Sequence, residues 1–192
     1  MAYCSVANLK EYLGITTSTD DGLLADLIAS ADRIIDTDTG RTFEAIEDST
    51  RYFDAYADVV ADTLYLDTDL CEITSITNGD GTSISVSHYV TEPRNRTPYF
   101  AIKLKASSSK QWVAASNGDR ENAITVVGKW AYSASAPDDI VQASNRLAAY
   151  LYRQKDNAND LDRAIVAGNS TVLPSSLPSD LKQILRAYRK RL

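Results

Sequence analysis

The sequence predicts an α+β protein: helices near both ends build a helical core, an antiparallel β-rich lobe is inserted between them, and a C-terminal arm ends in an amphipathic helix. Three observations lead there. Apolar residues recur at helical spacing in the first 40 residues and again after Pro137. Between them the apolar period drops to two and turn residues punctuate the chain. After Leu177-Pro178 a short apolar stripe returns, this time surrounded by cations. The expected divisions are a helical hairpin over 1–48, a β-rich lobe over 49–134, a core helix over 135–155 and an arm with its helix over 156–192.

Ser5 is placed to cap a first helix carrying Val6, Leu9 and Leu13, and Gly14 to end it. Thr19-Asp20-Asp21 opens a second helix with acids at the positive end of its dipole. Its stripe is Leu23, Leu24, Leu27, Ile28, Ala31, Ile34 and Ile35, and Gly40 is its stop. From Thr50 the pattern is that of strands. Tyr52, Phe53 and Tyr56 crowd one segment, and Leu64 and Leu66 alternate with Tyr65 and Asp67. Ile73–Thr77 and Ser83–Val90 flank Asn78-Gly79-Asp80-Gly81, which reads as a hairpin. Phe100, Ile102 and Leu104 alternate with Ala101, Lys103 and Lys105, and a further strand over Ile124–Val127 ends at Gly128. Pro137-Asp138-Asp139 restarts helix, with Ile140, Val141, Ala143, Leu147, Ala148 and Leu151 as its stripe to about Gln154. Residues 156–178 lose periodicity and read as a loop or mobile arm, with a helical turn near Leu161–Val166. Ser179 then caps a last helix with Leu181, Ile184, Leu185, Tyr188 and Leu192 on one face.

Composition limits the function. With 192 residues, 44% hydrophobic and 24% charged, the chain is ordinary for a globular protein and needs no disulfide or metal to fold. Cys4 and Cys71 form no CxxC pair, so a zinc site is not expected and a reducing compartment is. Neither a signal peptide nor a membrane span is visible. The net charge of −6 argues against general nucleic-acid binding. Its distribution is uneven: residues 1–96 carry 18 acidic and 6 basic side chains, residues 97–192 carry 8 and 14. Such asymmetry suits oriented partners or oriented self-assembly, and equally serves solubility alone.

Chemistry-bearing motifs are scarce. The single histidine, His88, falls on the expected Ser83–Val90 strand and shares a face with Ile84, Val86 and Val90, a packed or edge position. No P-loop, GxSxG or HExxH is present, and neither cysteine has a local activating partner. Asp36-Thr37-Asp38-Thr39-Gly40 with Glu47 mimics a calcium loop, but its glycine comes one residue early, and a helix C-terminus is the better reading. The carboxylates Asp54, Asp58, Asp62, Asp67, Asp69 and Glu72 are dispersed instead of convergent. No catalytic residue, metal ligand or cofactor is therefore assigned.

Several stretches, taken in order, are similar to one family. They are Leu9-Lys10-Glu11-Tyr12-Leu13-Gly14 with Asp20-Asp21 and Leu23-Leu24, then Thr39-Gly40-Arg41-Thr42-Phe43, then Val126-Val127-Gly128-Lys129-Trp130-Ala131-Tyr132. Pro137-Asp138-Asp139-Ile140 with Ala143 follows, and finally Leu177-Pro178 with Leu185-Arg186-Ala187-Tyr188-Arg189-Lys190-Arg191. Together they resemble the head–tail connector proteins of tailed bacteriophages, also called adaptor or head-completion proteins. The family commonly has glycine where this chain has Ala131. The resemblance implies a structural virion protein without enzymatic role. It implies a ring, usually twelvefold, under the portal at the capsid vertex, assembled in the host cytoplasm. Its partners would be the portal protein, neighbouring copies of itself, a downstream head-closure or tail protein, and DNA passing non-specifically through the lumen, with no membrane. The helical part would build the ring. Two other classes remain open to the residues: a monomeric binding module for a peptide or glycan, and a small metal-dependent hydrolase.

The last helix is the expected docking element. Leu181, Ile184, Leu185 and Tyr188 would bury against the portal or a neighbouring subunit, and Arg186, Arg189, Lys190 and Arg191 would meet carboxylates there. Periodicity leaves one competing outcome, a helix that folds back on its own domain.

Overall fold

The computed structural model describes residues 2–156, 165–167, 170–172 and 179–190. It is an α+β fold in two compact units, one formed by residues 1–41 with 136–192 and the other by 42–135. The first holds α1 (Val6–Leu13), α2 (Asp21–Thr39), α3 (Asp138–Asp156) and α4 (Ser179–Tyr188).

Local chemistry sets the helix ends. Ser5 is extended and its Oγ accepts the Asn8 amide at 3.1 Å, a capping bond. Gly14 (φ 73°) and Gly40 (φ 66°) leave α1 and α2 in the left-handed region that glycine enters without strain. Asp20 precedes α2 without a side-chain cap bond, and its carboxylate instead accepts the Tyr152 hydroxyl at 2.5 Å. Pro137 offers its carbonyl to the amides of Ile140 and Val141. The core of this unit is made by Leu9, Leu24, Ile28, Ala31, Ile35, Ile140, Ala143, Leu147 and Ala148, all buried. The stripe is narrower than the sequence predicts. Leu27, Ile34 and Leu151 are half-buried, and Leu23 is exposed. A helical face about 100° wide suffices for the contact, so the outer members of a broad apolar run lie at its margins.

The arm departs from expectation where it is described. Ile165–Ala167 and Ser170–Val172 are strands β8 and β9, paired antiparallel with Ile165 opposite Val172, in place of a helical turn through Val166. The remainder of that turn, Leu177-Pro178, and Arg191 and Leu192 lie outside the described residues.

The second unit is two antiparallel sheets. One has the order β1 (Ser49–Phe53), β7 (Ile124–Lys129), β4 (Glu72–Thr77). The other has the order β2 (Val59–Val60), β3 (Thr63–Leu70), β6 (Tyr99–Leu104), β5 (Tyr89–Glu92). Phe53, Leu64, Leu70, Ile76, Ile102, Leu104, Ile124, Val126 and Trp130 form one buried cluster. Residues 42–48 go with this unit: the Tyr132 amide donates to Thr42 O at 2.8 Å, and Ser133 Oγ donates to Phe43 O at 3.1 Å.

Three strand expectations are corrected. The chain does turn at Asn78–Gly81, with Asn78 N donating to Thr82 O, but pairing continues only through the Thr77–Ser83 bridge and the Ile84 N to Ile76 O bond. The chain then leaves β4 and enters the other sheet as β5 beside β6. His88 accordingly sits in the turn before β5, not on a strand face, and its Nδ1 lies 3.0 Å from Ser108 Oγ. Ile84 and Val86, expected to share one face with it, differ: Ile84 is buried and Val86 is 74% exposed. On β6, Phe100 is exposed and Ala101 fully buried, the reverse of simple alternation at that end. Gly128 does not end β7. It lies inside the strand between β1 and β4, where a Cβ would meet Glu72 O at 2.1 Å, so the close approach of two backbones requires glycine.

Candidate functional site

α4 was singled out by its sequence, and the structure shows what its apolar face covers. Leu181 and Leu185 are buried, with α4 packed on α2 and α3 of its own unit. The Tyr188 hydroxyl lies 2.8 Å from both oxygens of the Asp139 carboxylate, at the start of α3. Its carbonyl accepts from Arg41 Nε at 2.6 Å. Arg189 makes a two-point ion pair with Asp38, at 2.7 and 3.2 Å, and the Lys190 amide donates to Thr39 O at 2.9 Å. Arg146 on α3 pairs with Asp180 at the other end of the helix. The helix is thus fastened at both ends and buried along one stripe.

This alters how the predicted docking residues are distributed. Leu181, Leu185, Tyr188 and Arg189 have partners within their own unit. Ile184 is half-buried at the margin of that stripe, Arg186 is exposed on the opposite, outward side of α4, and Lys190 is half-buried. The sequence carried no signal for the fastening residues Arg41, Asp38 and Asp139, because their partners lie more than 45 positions away.

The same packing accounts for the calcium-loop mimic. The Asp36 carboxylate accepts the Tyr3 hydroxyl at 2.5 Å, and Asp38 holds Arg189. Asp32, one turn earlier, is buried and accepts from Ser144 Oγ at 2.5 Å and from the Tyr3 amide at 2.9 Å. Burial pushes the Asp32 and Asp36 carboxyls above the usual carboxylate range, against the lowering effect of those hydrogen bonds. Cys4, 3.3 Å from Ser144 Oγ, is also pushed up by burial, which disfavours a reactive thiolate. Among the described residues, no group of three or more His, Cys, Asp or Glu side chains is placed to hold a metal ion. No helix of the structure is long and apolar enough to cross a membrane, among the described residues.

In the β-rich unit, a groove of about 470 Å³ lies beside β5, lined by Ile73, Val86, Tyr89, Val90, Arg94 and Tyr99 with Cys71.

The sequence profile of the head completion proteins matches residues 2–191. The chain belongs to the head completion protein family. Head completion proteins are structural parts of the virion, and the role of this one is that of a head–tail connector. Its fold is similar to that of chains in gene transfer agent (GTA) particles. One is from the neck of the native GTA particle computed with C12 symmetry, at TM-score 0.60 and 14% identity, with 97% of this chain and 88% of that one covered. A second is from the virion of the native particle, at TM-score 0.59 and 16% identity over 97% and 89% of the two chains. A third is from the neck of the empty particle computed with C6 symmetry, at TM-score 0.56 and 15% identity over the same shares. No curated protein matches this head completion protein.

Proposed function

We propose that this head completion protein forms a closed ring, twelvefold in the simplest case, between the portal protein and a downstream head-closure or tail protein. DNA passes through the ring without sequence-specific contact. The observation that carries this reading is the family match over residues 2–191, which leaves almost none of the chain for another role. The fold shared with the neck chain of a C12 particle supports the stoichiometry. A ring of identical subunits needs head-to-tail contacts between two different faces, and an uneven charge distribution favours the right contact over wrong ones. An excess of carboxylates facing the lumen would keep phosphates from sticking. We assign the chain no catalytic step.

In this reading α4 meets the portal or a neighbouring subunit through its exposed side, Arg186, joined by Lys190, Arg191 and the half-buried Ile184 at the margin of its apolar stripe. Leu181, Leu185, Tyr188 and Arg189 hold the helix in position for that contact. A reconstruction of the particle vertex tests the assignment directly: a ring of this chain on the portal is expected. Infectious particles with normal tails, assembled without this chain, would overturn it.

A further inference from the structure

The sheet β2-β3-β6-β5 has two free edges, and they differ in charge. Residues 58–70, which hold β2, β3 and their turn, carry four acidic side chains and no basic one. Residues 89–105, which hold β5, β6 and their turn, carry one acidic and four basic side chains, Arg94, Arg96, Lys103 and Lys105. The electrical axis of this sheet therefore runs from one edge strand to the other.

Each edge also presents apolar surface. At the acidic edge Val60 is 63% exposed on the two-residue strand β2, and the turn that follows carries the exposed Asp62. At the basic edge the groove beside β5 offers Ile73, Val86, Tyr89 and Tyr99, with Arg94 among its lining residues. Only alternate residues of an antiparallel edge strand bond to its neighbour, so half of the β5 amide and carbonyl groups face away from β6. The groove thus has apolar walls and the Arg94 cation beside the outward backbone groups of β5, and its one lining carboxylate, Glu72, is held by Lys129.

Resting on the ring reading above, we propose that this groove receives the β2–β3 turn of the next copy of the chain, with Val60 entering the apolar part and Asp62 meeting Arg94. Opposite edges of one sheet make a heterologous contact that repeats without using either edge twice, which is the geometry a closed ring demands. Charge complementarity selects this occupant: the β2 edge presents the exposed Asp62 beside Asp58, the β5 edge presents the exposed Arg94 and Arg96, and two like edges would repel. Arg94 is 63% exposed at its side chain and has one bond to Glu92, at 3.3 Å, so it can take a stronger carboxylate partner.

The native Cys71 lines the groove and supplies the test. In the full chain, Val60→Cys should form disulfide-linked multimers under mild oxidation, in concentrated solution and in assembled particles, and the multimers should vanish when Cys71→Ser is added. Asp62→Lys or Arg94→Glu alone should weaken self-association about tenfold, and the two together should restore it. Rings that form in particles without a Val60→Cys to Cys71 link, and that ignore the charge exchange, would overturn this contact and leave the ring intact. A single copy per vertex, seen by reconstruction, would overturn the ring reading and this contact together.

Discussion

Ser144 Oγ donates to Asp32 Oδ1 across 2.5 Å, joining α3 to α2 through two side chains that are both buried. The Tyr3 amide completes the arrangement by donating to the other Asp32 oxygen. A carboxylate in such a place serves position at a cost in solvation, and that cost is visible in pH dependence.

Burial raises the Asp32 carboxyl above its ordinary value, so the folded state binds a proton more readily than the unfolded one. Above the folded pKa the charged group weighs against folding. As pH falls through that raised value towards the ordinary one of about 3.9, the burden lifts. Asp32→Asn removes this titration, while its amide keeps an acceptor for the Tyr3 amide. The stability of the native chain relative to Asp32→Asn is therefore expected to rise on acidification, as measured by urea denaturation at a series of pH values. A pH-independent difference would show that burial does not govern this group.

Large-to-small changes should separate the core from its margins. Leu147→Ala, at 1% exposure, should cost about 2–5 kcal/mol in denaturant unfolding, whereas Leu27→Ala, half-buried, should cost less than about 2. Equal costs at the two sites would mean that the helical stripe is wider than the structure places it.

α4 offers a contrast within ten residues. Leu185→Ala should lower stability by about 2–5 kcal/mol, because Leu185 is 1% exposed in its own unit. Arg186→Glu, on the outward side, should change stability by less than about 0.5 kcal/mol and reduce incorporation into particles, most at low salt. Removing residues 179–192 should expose the α2 and α3 surfaces and unfold the helical unit, followed by loss of helical circular dichroism. A truncated chain that stays folded, or an Arg186→Glu chain that joins particles normally, would reassign the helix.

Gly128→Ala should be among the most damaging single-methyl additions. Its Cβ would lie 2.1 Å from Glu72 O, so β7 and β4 would have to separate, at a cost of about 3 kcal/mol or more. Thermal unfolding decides this, and a shift within error would mean that the strands part without strain.

These tests also mark where the sequence was legible. Helix ends were, because Ser5, Gly14 and Gly40 act through chemistry confined to a few neighbouring residues. The α+β order followed from the change of period near residue 50. The Asn78–Gly81 turn was read correctly as a turn, yet the strand after it belongs to another sheet. Turn chemistry is local, whereas the partner of Tyr89–Glu92 is chosen by which core its side chains complete. The periodicity of α4 showed an apolar face and left its cover undecided, since Leu181 and Leu185 pack equally well on a partner or at home. The bonds that settle it, Tyr188 to Asp139 and Arg189 to Asp38, join residues 49 and 151 positions apart.

The fastening of α4 has a mechanical side. Arg41 Nε holds the Tyr188 carbonyl and the Lys190 amide holds Thr39 O, at the turn from which the chain runs on into the β-rich unit. A pull on the segment after Tyr188 is therefore shared between that turn and α4, which Tyr188 and Arg189 tie to Asp139 and Asp38. The share taken by the turn has a short covalent route to Thr42. In a protein that joins a head to a tail, these two hydrogen bonds would relieve the apolar face of α4 of part of any tension applied to its end.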